Sequence, residues 1–168
     1  IGEMNGNNIK DVLIDEENRI WMSNYPNGVT IRNDKNNLDF DVIQHIPKSN
    51  QGLAHSQVND FFEDRDGDLW FATNNGVSLY YPKQDRWETF LSSINKDQDV
   101  NNHMFLTLNE VRPGVIWVGG YSSGLYEINK ATKKHTLLLS NETEQISEPD
   151  KCIRAILTDS GQSVWVGG

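Results

Sequence analysis

The densest set of potential ligands in the chain is Asp64, Asp66 and Asp68 around Gly67. Alternate carboxylates on a tight loop are how a helix–loop–helix calcium site begins. Such a site also needs flanking helices and a Glu at the twelfth loop position. Counted from Asp64 that position is Asn75, and Trp70 to Thr73 read as strand, so no metal is expected. Histidine is the next candidate, as a base or as a ligand for a catalytic metal. Of His45, His55, His103 and His135, only His55 and His103 recur at equivalent places, three and two residues before the strand-opening Val58 and Phe105. No carboxylate constellation accompanies them, and no catalytic residue is assigned. Cys152 is the sole cysteine, so there is no internal disulfide and no CxxC motif. Its setting, Cys-Ile-Arg-Ala-Ile-Leu, reads as a strand with a buried thiol. Lys130, Lys133, Lys134 and His135 could meet an anionic glycan, but the run falls at a turn and reads as solvated. Asn141-Glu-Thr143 is a glycosylation pattern that matters only in a eukaryotic secretory pathway.

What must position these residues is a repeat. Trp21, Trp70, Trp117 and Trp165 are spaced by 49, 47 and 48 residues. Each stands 12 residues after an apolar residue that opens a strand: Ile9, Val58, Phe105 and Ile153. Between them lies a turn, cleanest in Asp64-Arg-Asp-Gly-Asp-Leu-Trp70. Asn18 takes the Gly67 place in the first copy, Gly161 comes one position early in the fourth, and the third departs to Arg112-Pro113-Gly114. Gly and Asn supply the positive φ of a tight hairpin, and Asp bonds its own downstream backbone. After each of the first three Trp comes a Gly (Gly28, Gly76, Gly124) and a third strand. A fourth strand follows at Leu38 to Ile46, Arg86 to Leu91 and Lys134 to Leu139.

Four short strands in about 48 residues, repeated, read as the blades of an all-β propeller of antiparallel four-stranded sheets. The blade repeats run over roughly 9–50, 58–97, 105–145 and 153–168, the last incomplete. The expected fold is therefore about three and a half blades of a probable seven-bladed propeller, one partial domain over 1–168, from a longer protein. The Trp are expected to pack between blades. The small residues after them (Ser23, Ala72, Gly119, Gly167) are expected on an inner strand crowded near the axis. Five Trp, five Tyr and six Phe argue against disorder despite only 36% hydrophobic residues. A net charge of −9 argues against a nucleic-acid partner. No apolar run approaches the ~18 residues of a membrane span. The start, Ile1-Gly-Glu-Met-Asn, is no signal peptide, though a mature exported segment would look the same.

The string best kept at Val58 to Tyr80, an Asp–Gly turn, then Trp-Phe-Ala-Thr-Asn-Asn-Gly, resembles the two-component regulator propeller repeat. The resemblance implies the periplasmic sensor region of a Bacteroides-type hybrid two-component system, a sensor histidine kinase with response-regulator parts. It implies an oligosaccharide ligand, regulation of polysaccharide utilisation, a homodimeric parent, and a sensor chain that supplies the rest of the propeller. It implies no cofactor, and no enzyme in this segment.

With strands a to d running outward, the b–c and d–a loops share one face, the top. Its candidate ligand-binding residues are Tyr25, Asn27, Asn74, Asn75, Tyr121, Ser122, His55 and His103. Tyr rings can stack on pyranose faces, while amides, hydroxyls and imidazoles bond sugar hydroxyls. Polar loop residues are also ordinary turn formers. Two other classes stay open: a propeller lyase-like enzyme, for which the paired loop His speak, and a protein-interaction platform.

Overall fold

The computed structural model describes residues 8–33, 40–47, 49, 51–93, 103–139, 152–159, 161 and 163–168. The first blade is β1 (Ile9–Ile14), β2 (Ile20–Asn24), β3 (Val29–Arg32) and β4 (Asp41–Ile43). The second is β5 (Val58–Glu63), β6 (Leu69–Thr73), β7 (Gly76–Tyr81) and β8 (Arg86–Phe90). The third is β9 (Phe105–Arg112), β10 (Val115–Gly120), β11 (Leu125–Asn129) and β12 (Lys134–Leu139), and β13 (Ala155–Thr158) pairs with β14 (Val164–Gly167). Each sheet is an antiparallel meander in chain order, as the repeat requires. Strand a touches strand a of the next blade (β1 with β5, β5 with β9, β9 with β13), so the a strands line the axis.

Two expectations need correction. The small residues after each Trp lie on strand b, second from the axis, not on the innermost strand. They are small because the next blade comes that close: a Cβ on Gly119 would stand 2.3 Å from Ile153 Cγ2. In the first blade the fourth strand is only Asp41–Ile43, shorter than Leu38 to Ile46, where residues 38 and 39 lie outside the described residues.

Packing follows the Trp. Trp21 is fully buried and meets Phe71 and Tyr80 of the second blade at ring centroid distances of 6.0 and 6.2 Å. Trp70 sits in a cluster that joins Val77, Leu79 and Phe90 of its own blade to Phe105, Leu108 and Ile116 of the third. Trp165 is 64% exposed, together with Leu157 and Val166 beside it, while Val12 and Ile14 are exposed on β1. Both ends of the blade array thus present apolar surface, while its middle is filled by buried side chains.

The a–b hairpin shows why Asp precedes Trp by six residues. In the second blade Asp64 Oδ1 accepts the backbone N–H of Asp66 and Asp68, each at 3.0 Å, and Oδ2 accepts Trp70 Nε1–H at 2.8 Å. Asp15 does the same for Glu17, Arg19 and Trp21, and Asp159 for Gly161, Ser163 and Trp165. One carboxylate therefore closes the turn and satisfies an indole N–H that burial would otherwise orphan. The third blade has no Asp here; its two-residue Pro113-Gly114 turn pairs Arg112 with Val115, and Trp117 donates to Glu127 instead at 3.1 Å. The residues before strand c are glycine because a Cβ there would strike the carbonyl of strand d: Gly28 would meet Ile43 O at 2.1 Å and Gly124 Leu139 O at 2.1 Å, both at positive φ.

Candidate functional site

Three blades meet at the top of the axis through a fixed pattern of backbone bonds. The first residue of each b–c loop donates to the carbonyl that precedes strand a of its own blade: Tyr25 to Asn8 at 2.9 Å, Asn74 to Gln57 at 3.1 Å and Tyr121 to Met104 at 3.0 Å. Gly28 then donates to Ser56 O at 2.8 Å and Gly76 to His103 O at 2.7 Å, each crossing to the next blade. These bonds bring the predicted residues to one face, with β1 and β5 reaching it from the axis.

On that face the side chains form a closed polar ring. Lys10 Nζ donates to Asn59 Oδ1 at 3.5 Å, and Asn59 Nδ2 to Asn74 Oδ1 at 2.8 Å. Asn74 Nδ2 donates to Gln57 Oε1 at 2.5 Å, and Gln57 Nε2 to Tyr25 Oη at 3.1 Å. The Tyr25 ring returns to Lys10, whose ammonium lies 4.1 Å from the ring centroid. Asn59 Nδ2 also donates to Phe105 O at 2.8 Å, which ties the ring to the third blade. Tyr25 and Asn74 were legible in the sequence. Lys10, Gln57 and Asn59 were not, because they belong to strand a or its threshold, where polar residues read as the outward half of an alternation.

The other predicted residues sit apart from this ring. Asn27 takes part through its carbonyl, which accepts Gln44 Nε2–H at 3.0 Å. Asn75 Oδ1 accepts Ser93 N–H and Oγ–H at 3.3 and 2.8 Å. His55 Nδ1 accepts Gln57 N–H at 3.0 Å, so its proton is on Nε2, and the ring stacks on His45 with centroids 6.3 Å apart. Burial, then the neighbouring His45, holds the His55 imidazole below its ordinary pKa. His103 Nδ1 instead bonds Leu91 O at 2.9 Å. The two loop His that paired in sequence therefore have different partners. Tyr121 is 46% exposed and Ser122 is exposed beside it. Among the described residues their hydroxyls have no hydrogen-bond partner, and they leave ring and hydroxyl surface exposed.

The opposite face holds the strongest electrostatic feature, and it overturns the solvated reading of the basic run. Lys130 leaves β11 and places Nζ 2.7 Å from Asp64, 2.8 Å from Asp66 and 2.7 Å from Asp68. Its side chain is 11% exposed and that of Asp64 is 1% exposed. Burial opposes the charge, but the three carboxylates outweigh it and hold the ammonium above the usual lysine range. The triple Asp that resembles a calcium loop thus surrounds an ammonium of the next blade. Lys133 pairs with Glu88 at 2.5 Å, and the Arg86 guanidinium carbon lies 3.9 Å from the Tyr81 ring centroid. These groups line a cleft of about 500 Å³ between the second and third blades whose cations are matched by carboxylates.

Half-buried acids elsewhere serve the blade joints. Asp60 on β5 accepts Leu108 N–H of the next blade at 3.0 Å. Burial raises its pKa against the bonds from Leu108 and Thr107, and the charge of Asp11 adds to the rise. Glu63 accepts Glu16 N–H at 3.0 Å, and Glu110 accepts Arg65 Nε–H at 3.0 Å, the same joint one blade on.

With the geometry in place, the likeness to known proteins becomes specific. The two-component regulator propeller profile matches residues 52–75, which run from the d–a loop through strands a and b of the second blade. No curated protein sequence matches the chain. The fold is similar to the extracellular domain of the hybrid two-component system BT3049 from B. thetaiotaomicron, with a TM-score of 0.82 at 19% identity over 99% of this chain and 22% of that one. It is similar to that of BT4673 from the same organism, with a TM-score of 0.73 at 22% identity over 98% of this chain and 20% of that one. It is also similar to PorZ, a surface component of the type-IX secretion system of Porphyromonas gingivalis, with a TM-score of 0.63 at 19% identity, over 95% of this chain and 23% of that one. The chain spans about a fifth of each of these structures. Residues 52–75 match the two-component regulator propeller repeat, in a chain whose fold is similar to that of the extracellular domains of hybrid two-component systems.

Proposed function

We propose that this chain is part of the extracytoplasmic sensor propeller of a hybrid two-component system, and that it takes part in recognising an oligosaccharide whose binding regulates polysaccharide utilisation. The observation that carries the reading is the repeat match at residues 52–75 within blades that superimpose on extracellular domains of such systems over nearly the whole chain. The top face gives the reading a physical form. Every member of its polar ring from Lys10 to Tyr25 is held by a partner, and Tyr121 and Ser122 are exposed on the same face. A saccharide needs such fixed donors and acceptors next to an aromatic face.

In this reading the segment performs no chemistry itself. Ligand binding favours one of two arrangements of a dimeric sensor, and the differential affinity is what moves the distant kinase. The exposed apolar ends at Val12 and Ile14, and at Leu157, Trp165 and Val166, are covered by further blades of the same propeller. A thermal-shift screen of oligosaccharides on the complete extracytoplasmic region tests the reading. A specific sugar should raise Tm by mass action on the folded state, and Tyr121→Ala should weaken that response without lowering the ligand-free Tm. If no sugar shifts Tm, the reading fails. Pull-down of a protein partner insensitive to sugars would then favour an interaction platform.

A further inference from the structure

We propose a second saccharide site, on the side of the propeller, in the cleft between β4 of the first blade and the outer strands of the second. The cleft holds about 460 Å³, within the ~300–1,000 Å³ of typical ligand pockets. Its floor is an aromatic pair: Tyr80 and Trp87 face each other across β7 and β8, ring centroids 4.6 Å apart and 27° from parallel. Both rings are half-buried, and both are backed by the inter-blade core, Tyr80 on Trp21 and Trp87 on Phe71 at 5.7 Å. The platform is therefore fixed before any ligand arrives.

The polar rim is what points to a ligand. The chain has five Trp, and four of them (Trp21, Trp70, Trp117, Trp165) donate their indole N–H to a carboxylate. Trp87, whose Nε1–H has no acceptor among the described residues, lines this cleft. Around it stand Asp85, Gln44, His45 and Gln51. Asp85 Oδ1 accepts Tyr80 Oη–H at 3.1 Å, which leaves Oδ2 as an acceptor site. His45 is fixed by the contact of Nδ1 with Leu53 O at 2.8 Å, which turns Nε2 away from that bond. Gln44 is held by its amide on Asn27 O, which leaves Oε1.

A ligand for this cleft must accept from Trp87, donate to Asp85, and lay an apolar face on the rings. A cation would satisfy Asp85 and leave the indole donor unpaired, and an anion would do the reverse beside a carboxylate. A neutral pyranose ring, with hydroxyls that both donate and accept around a C–H face, satisfies all three. The pair is also peculiar to the second blade. At the register place of Tyr80 and Trp87 the third blade has Ile128 and His135. A blade joint can therefore be built with other side chains at these two places.

The site shares with the proposed function only its ligand class, and one experiment separates the two. Calorimetric titration of the full-length protein would use maltohexaose, cellohexaose, xylohexaose and mannohexaose as probes, against wild type, Trp87→Phe, Gln51→Ala and Tyr121→Ala. Trp87→Phe keeps a ring on Phe71 and removes the N–H, so folding is preserved. At least one probe should bind with a Kd of about 1 mM or tighter, and Trp87→Phe should weaken it roughly fivefold or more, the loss of one hydrogen bond. Gln51→Ala should weaken it too, and Tyr121→Ala should leave it unchanged. The proposal is overturned if no probe binds at ~10 mM, or if binding ignores Trp87→Phe and Gln51→Ala. Binding lost in Tyr121→Ala but intact in Trp87→Phe overturns the side cleft and leaves the top-face reading standing.

Discussion

Replacing Lys130 by Met tests the most concentrated electrostatic joint in the molecule. Met keeps the apolar stem that packs between the second and third blades and removes only the charge. Breaking a fully buried ion pair from one side costs about 3–5 kcal/mol, because the remaining charge is left unpaired. Exposed pairs are worth about 0–1 kcal/mol. Asp64 is 1% exposed but Asp66 is 62% exposed, so the cluster opens to water on one side. Asp64 also keeps the donors from Asp66, Asp68 and Trp70. A loss of about 2–3 kcal/mol follows, between the two limits. For a chain of this length that is a fall of roughly 5–10 °C in Tm. The sign with pH is also fixed. Lys130 has a folded pKa above its ordinary value. Its contribution is therefore fully present below the unfolded lysine pKa of about 10.4 and is lost only as pH rises through the folded one. The gap between wild type and Lys130→Met should thus stay constant between about pH 6 and pH 9. A double-mutant cycle with Asp64→Asn, read by thermal melts, should show coupling of at least about 1 kcal/mol. Additive effects, or a Tm change under about 2 °C for Lys130→Met, would refute the latch.

Calcium should leave the Tm of the wild-type chain unchanged, since the Lys130 ammonium already occupies the space among Asp64, Asp66 and Asp68; a rise in Tm at millimolar calcium would contradict this. Asp15 has its pKa held down, because the bonds from Trp21 and Arg19 outweigh the burial that pushes it up. Its contribution is present above the unfolded pKa of about 3.9 and is lost as pH falls through the folded value, so the Tm deficit of Asp15→Asn should shrink on acidification below pH ~4. Asp60 runs the other way, raised chiefly by burial. Wild type loses stability as pH rises from the unfolded pKa of about 3.9 through that raised value, so Asp60→Asn should gain on wild type as pH rises above about 4, measured by the same melts. Gly119→Ala places a methyl 2.3 Å from Ile153 Cγ2 and should cost about 1–3 kcal/mol, seen as faster proteolysis of the β13–β14 pair.

The Trp period, the hairpin turns and the Gly before strand c were enough to place most strands, because each is a local device repeated with the same neighbours. Strands b and c of the second blade, for example, fall where Trp70 and Gly76 put them. What sequence could not show is where the spare hydrogen-bonding capacity goes. Asp64 reads as a turn former, yet its second oxygen caps an indole and an ammonium. Lys130 reads as a solvated turn residue, yet it crosses to the neighbouring blade, a contact 62 to 66 residues away in the chain. Asn74 reads as a free amide on a loop, and it is one link of a ring that joins it to Lys10 and Asn59 on strand a, to Gln57 just before it and to Tyr25 of the preceding blade. These partners are set by how blades stack, which no single repeat records.

That limit says where recognition is to be sought in such a chain. A residue that recurs in every blade meets the same neighbours in every blade, so its side chain is used up by the joint it makes. Asp15, Asp64 and Asp159 cap a Trp; Gly28, Gly76 and Gly124 clear a carbonyl or the strand-d backbone. Glu63 and Glu110 bind the preceding hairpin. Residues that break the repeat are not bound by that use. Tyr121 is exposed where the first blade has Tyr25 and the second Asn74, both bonded, and the Trp87 N–H has no acceptor among the described residues where the third blade has His135. The two candidate surfaces of this chain, the top of the third blade and the side of the second, are where the side-chain bonding of the repeat changes. Restoring the register partner there, as in Trp87→His, should lower Tm less than the same change at a fully buried ring, because Trp87 is half-buried and packs on the joint from its edge. The same substitution at Trp70 should unfold the chain, since that ring is fully buried between two blades. Equal losses at the two positions, in parallel melts, would show that Trp87 is a joint residue after all and would remove the reason for treating it as a binding group.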